Sequence, residues 1–358
     1  MKKCLINLSF LLAAVLIASC KEDEKPEFDR KAMLTSMASG VIIPAYTSLS
    51  SSLADLYSRA VDFNANPTAT TLTNLRNQYV QTNINYQHCA MYSFGPAMDY
   101  GIKAAFNTFP TDTGKIESNI AAGSYALGSV TNTTAIGFPA LDYLLYYGSD
   151  AAILLQFTSD ADAPKRKLYL TDLISKMKTE FQPVLDQWNG TYQTTFINAD
   201  GNDVASSCSY LLNEFVQDLE LVKNAKIGIP GGQQTGGATL PAYVEAYYSG
   251  LSTTFALESL VGLETCFTGG SGSGFDDYIR DVESDDTNPS LADNILAQFG
   301  VCKTKVSGLT SPLSATVNTN FAAVNETYLE IKKLLVYCKT DMTSMLGILI
   351  TYQDNDGD

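Results

Sequence analysis

From Phe321 onward, Val324, Tyr328, Ile331, Leu335, Cys338, Met342, Met345 and Leu349 return at alternating steps of three and four residues. At 3.6 residues per turn these positions form one stripe along a helix, whereas a strand would need a period of two. A stripe of that length has to be covered along its whole length by other helices. The spacing therefore predicts a helical bundle.

The rest of the chain repeats the pattern. Leu34, Met37, Val41, Leu49, Leu53, Leu56, Ala60 and Phe63 predict a long amphipathic helix, bent at Pro44 because proline removes an N–H and crowds the preceding turn. Asn64 to Pro67 ends it, and Leu72, Leu75, Tyr79 and Tyr86 carry a second helix that should pair antiparallel with the first. The polar, glycine-studded stretch from Asn107 to Thr134 supports only short helical pieces, and long irregular segments of this kind usually line something. Leu170, Leu173, Met177, Phe181, Val184 and Trp188 close a first helical series, and the turn residues Asn198 to Asn202 separate it from a second that begins at Cys208. A helix is expected through Val244, Tyr247, Leu251 and Phe255. Gly269 to Gly274 reads as a flexible connector, since no Gly-Lys-Ser or Gly-Lys-Thr follows to make it a phosphate loop. Strand signals are scarce. The expected fold is all-α with little or no sheet, in two successive bundles over residues 30–195 and 196–358.

At the N-terminus Lys2 and Lys3, the apolar run Leu5 to Ala18 and the small residues before Cys20 have the layout of a secretory signal over residues 1–19. Leu16-Ile17-Ala18-Ser19-Cys20 reads as a lipoprotein box, with Cys20 the acylated first residue of the mature chain and residues 20–29 an acidic tether. This predicts a lipoprotein of a Gram-negative cell envelope, held to the outer membrane through lipid on Cys20, with its body periplasmic or surface-exposed. The Lys-then-acidic tether is compatible with a surface-export signal and equally with a plain solvated spacer. The formal charge of −15 excludes nucleic acid as a partner, because phosphate binding needs concentrated positive charge. An acidic surface can gather cations or simply keep an exported protein soluble. Five cysteines remain beyond Cys20, namely Cys89, Cys208, Cys266, Cys302 and Cys338. Five is odd, so at least one stays free or pairs with another chain, and burial in helix cores is the expected fate of most.

One stretch combines a special turn with an apolar helix, Ala135-Ile-Gly-Phe-Pro-Ala-Leu-Asp-Tyr-Leu-Leu-Tyr-Tyr-Gly148. Gly137 permits a backbone conformation closed to other residues, Pro139 suits the first helical position, and Asp142 is expected in the first turn, where the helix dipole favours an anion. This stretch resembles the signature of the imelysin-like family, Gly-x-His-x-x-Glu followed by an aromatic-Leu-Leu-aromatic run. Here it stands as Gly137, Pro139 and Asp142, then Tyr143 to Tyr147. Lys226 to Gly231, Tyr247 to Ser252, Gly274 to Tyr278 and Leu346 to Tyr352 are also similar to segments of that family, in the same order, so the resemblance covers residue 30 to the end. It implies two four-helix bundles with the signature near their junction, an association with iron, and a binding role for Gly137, Pro139 and Asp142. In the family the His and Glu are the presumed metal-facing pair. Pro139 offers no ligand atom, and Asp142 is one methylene shorter than Glu.

Other candidate residues are few. His88 is the only histidine, so a metal site with an imidazole ligand would have to use it, alongside Asp142 or the terminal acids Asp354, Asp356 and Asp358. Each has a plainer reading: a hydrogen-bonded histidine, a dipole-stabilising aspartate, a solvated terminus. The chain lacks His-Glu-x-x-His and the Gly-x-Ser-x-Gly elbow, and His88 beside Cys89 would point to a different helix face. No catalytic residue is assigned. The 20 tyrosines either line a groove or pack with their hydroxyls at its rim. The function expected is a non-catalytic binding or accessory protein in uptake of iron or another divalent cation, with an iron carrier or another envelope protein as partner. The alternatives are a divergent metallopeptidase using Asp142, His88 and water, and a metal-free surface interaction module.

Overall fold

The computed structural model describes residues 27–283 and 290–352, and no strand occurs among them. Cys20 and the terminal acids Asp354, Asp356 and Asp358 lie outside these residues, as do the signal segment and most of the tether. Eight helices build the body. The first four are α1 (Ile43–Ala65), α2 (Ala69–Gln87), α3 (Gly137–Tyr146) and α4 (Ala163–Gln187). The second four are α5 (Ser207–Leu221), α6 (Ser252–Thr268), α7 (Leu291–Ser307) and α8 (Phe321–Val336). In the first set α1 packs on α2 and α4, and α3 on the same two. In the second, α5 and α7 each pack on α6 and α8. Each set is a four-helix bundle. They meet where α2 packs against α6, and the buried apolar side chains of both form one connected core. In the first bundle Tyr46, Phe94 and Phe196 surround the fully buried Trp188, their ring centroids 5.1–6.0 Å from its own.

Sequence periodicity placed α1, α2, α4, α5 and α8, it gave no expectation for α7, and local chemistry set the helix ends. Thr68 caps α2 through a reciprocal pair of bonds with Thr71, and Asn320 caps α8 by accepting from Ala323 N–H. The irregularity expected at Pro44 lies one turn earlier, as a widened helical turn. A π-helical turn at Ala38–Ile42 separates Arg30–Met37 from α1, and Pro44 sits in the first turn of α1. Proline withholds the N–H that residue 40 would accept, and the wider turn removes the ring's clash with that carbonyl. Another π-helical turn, Tyr337–Met342, interrupts the C-terminal stripe after α8. The middle of that stripe is buried, but Phe321 is 46% and Leu349 is 67% exposed, because α8 only begins at Phe321 and the helix ends at Gly347.

Two expectations fail outright. Gly269 to Gly274 is not a flexible connector. It is a tight turn docked on Arg30–Met37, where Ser273 N–H donates to Ser36 Oγ (3.2 Å) and a Cβ on Gly272 would fall 1.8 Å from that oxygen. Nor is there a helix through Val244 and Tyr247. After a short 3-10 turn at Pro241–Tyr243 the backbone stays irregular until α6 starts at Ser252. Ser249-Gly250 and the positive φ of Ala246 (50°) break the helical path that the spacing of Val244, Tyr247 and Leu251 had implied.

Candidate functional site

The site grows from Gly137. Its φ is +73°, and a Cβ there would lie 2.3 Å from the carbonyl oxygen of Phe106, so only glycine lets α3 start against the backbone of the helix Ile102–Asn107. Counting from Gly137, Pro139 is the third residue of α3 and Asp142 the sixth, so Asp142 stands one turn beyond the position where the dipole would act. Its partners are different. Tyr248 N–H donates to Oδ2 (2.7 Å), Ser249 N–H to Oδ1 (3.2 Å), and the Tyr79 hydroxyl to Oδ1 (3.4 Å). Asp142 is 1% exposed, and burial raises its pKa to about 6 against the opposing pull of these donors. No ion-pair partner for it occurs among the described residues.

The irregular segment 244–251 is thus fastened by Asp142 at its centre. It is fastened again at Glu245, which is buried. Lys226 Nζ donates to Glu245 Oε2 (2.7 Å) and to Gln87 Oε1 (2.7 Å), while Gln87 Nε2 (3.0 Å) and Asn107 Nδ2 (2.6 Å) donate to Glu245 Oε1. The Ser259 hydroxyl completes the group by donating to Gln87 Oε1 (2.8 Å). The network joins α2, the helix Ile102–Asn107, the π-helical turn Val222–Gly228 after α5, the irregular segment and α6, so it stitches the two bundles together. Sequence reasoning missed Glu245, Lys226 and Gln87 as site residues. One signal was available: Lys226 stands beside Ile227, Gly228 and Ile229, and a charge in a buried apolar run has to find a partner.

Between the irregular segment and the start of α3 lies a cavity of about 170 Å³, walled by Phe109, Pro110, Pro139, Tyr247 and Tyr248 with Asp142 among its lining residues. The tyrosine rings continue outward: Tyr143, Tyr147 and Tyr248 stand 5.1–5.6 Å apart by centroid. Of the predicted binding residues, Pro139 and Asp142 share this cavity, and Gly137 sets the helix that carries them. His88 is elsewhere. It caps the end of α2, its Nε2 lies 2.7 Å from Glu258 Oε2, and it lines a different cavity with Val41, Ser48, Asn85 and Gly262. Asp142 and His88 are therefore not brought together as a ligand pair.

These residues do not fit a resident metal at the signature. Proline contributes no donor, both Asp142 oxygens already accept backbone hydrogens, and among the described residues no group of three His, Cys, Asp or Glu side chains is placed to hold an ion.

The family model for imelysin (peptidase M75) matches residues 42–335. Among solved structures, a putative iron-regulated protein A precursor from Parabacteroides distasonis ATCC 8503 superposes with a TM-score of 0.75 at 16% identity, covering 91% of this chain and 97% of that one. An imelysin-like protein from Psychrobacter arcticum 273-4 superposes with a TM-score of 0.73 at 19% identity, covering 90% of this chain and 97% of that one. No curated protein matches the chain. At these identities the solved structures establish the shared architecture alone, and the family match over residues 42–335 establishes descent: the chain belongs to the imelysin family.

Proposed function

We propose that this protein is a non-catalytic, envelope-anchored binding or accessory component of iron uptake, working through the cavity beside Asp142, with iron as cargo or as the load of a carrier. One observation carries the reading. The carboxylate at the signature's acidic position serves as an acceptor that fastens residues 248 and 249, while the cavity next to it stays open. A hydrolytic metal centre needs two or three ligands and an activated water, whereas Pro139 and an amide-bound Asp142 offer a wall and a charge. The iron connection is supported by the name of the Parabacteroides neighbour, an iron-regulated protein A precursor. The anchor is supported by the sequence that ends at Cys20.

The test is uptake of radiolabelled iron in iron-limited cells with and without the gene, beside an assay for peptide cleavage by the purified protein. Reduced uptake restored by the wild-type gene, with no cleavage, is expected. Cleavage abolished by a chelator would overturn the non-catalytic reading, and unchanged uptake would remove iron from it.

A further inference from the structure

The carboxylate of Asp142 is buried, lines a cavity, and faces no cationic side chain among the described residues. An uncompensated charge in that setting is costly, and proteins ordinarily pair it. Its hydrogen bonds are neutral and mostly long: Tyr248 N–H donates to Oδ2 at 2.7 Å, while Ser249 N–H is shared between Oδ1 (3.2 Å) and Oδ2 (3.4 Å) and the Tyr79 hydroxyl reaches Oδ1 at 3.4 Å, so none of them neutralises the charge.

The walls narrow the chemistry. Phe109, Pro110, Pro139, Val244, Tyr247 and Tyr248 offer rings and aliphatic surface beside the polar Thr111, and Asp142 is the one carboxylate among the lining residues, so a metal ion would find a single charged ligand. An organic cation needs no more than one: its charge pairs with the carboxylate, its apolar body packs on the walls, and tyrosine faces attract it further. Size fits as well. At about 170 Å³ the space is close to the ~150 Å³ of an engineered cavity known to hold benzene. The wall is also held in advance, since Glu245 and the backbone of residues 248–249 are fastened on either side of Ala246, whose φ of +50° is a strained conformation for alanine.

We propose that this cavity binds a small organic cation, an ammonium or amidinium group on a compact apolar body, with Asp142 as counter-charge and Tyr247 and Tyr248 as walls. The inference rests on the reading of this cavity as the binding site and not on iron. The probe is benzylammonium, with benzyl alcohol as its uncharged counterpart, each titrated into the purified protein by calorimetry at neutral pH. Benzylammonium should bind at least about tenfold more tightly than the alcohol, and Asp142→Asn should bring the two within about twofold of each other. Tyr247→Ala, at a side chain 43% exposed and therefore tolerant of change, should weaken benzylammonium while keeping its preference over the alcohol. Equal binding of the two probes by the wild type, no binding of either, or a preference that survives Asp142→Asn overturns the proposal. Should Asp142→Asn fail to fold, the wild-type comparison and Tyr247→Ala decide. Charge-selective binding without an uptake defect would retire the iron reading and keep this one, and an uptake defect without binding would do the reverse.

Discussion

Replacing Asp142 by Asn changes how stability depends on pH, and the size of the change follows from where the carboxylate sits. Burial raises its pKa from an ordinary 3.8 to about 6 in the folded chain. A raised carboxylate favours the proton in the folded state, so its contribution to stability is fully present below 3.8 and is lost as pH rises through about 6. At 1.36 kcal/mol per pKa unit the loss is about 3 kcal/mol. Burial pushes Glu214 and Asp218 in the same direction, so the wild-type profile alone would not isolate Asp142. The difference between variant and wild type does. Asn keeps an acceptor for Tyr248 N–H but turns one donor toward Ser249 N–H, a pH-independent penalty of about 1 to 3 kcal/mol. Urea unfolding of both proteins at steps from acid to neutral pH should show the variant gaining on the wild type by about 3 kcal/mol across that window. A difference that stays flat from acid to neutral pH would refute the picture of a desolvated carboxylate without a countercharge.

Other expectations are direct. Gly137→Ala should cost about 2 to 5 kcal/mol, from the positive φ together with the overlap on the Phe106 carbonyl, and a melting temperature like the wild type's would show that α3 can start elsewhere. Lys226→Met leaves Glu245 buried and unpaired, which should cost about 3 to 5 kcal/mol, part of it regained in Lys226→Met/Glu245→Gln, and an equal loss in single and double variants would argue against the pair. Treatment with EDTA should leave thermal unfolding unchanged, because no described donor cluster is placed to hold an ion, and a large fall in melting temperature would reveal a resident cation.

Much of the fold was legible because helices advertise themselves locally. The stripe through Val324, Ile331, Leu335 and Cys338 is buried as its spacing required, and the special backbone at Gly137 follows from one residue's freedom. The site was less legible because its contacts span the sequence. Asp142 is fastened by residues more than a hundred positions away, and nothing within Ala135 to Gly148 distinguishes that role from a dipole contact. Spacing also misled where the irregular segment borrowed a helical rhythm: Val244, Tyr247 and Leu251 are periodic, yet Glu245 and the amides of 248 and 249 are held by partners outside the segment, and those bonds outweigh local propensity. His88 shows the converse. Its scarcity drew attention, and the structure gives it Glu258 and a separate cavity.

Cys89, Cys208, Cys266, Cys302 and Cys338 are all unpaired and sealed in the interior. The described body is therefore held together by packing and hydrogen bonds alone, and it contains no cross-link for a reductant to break.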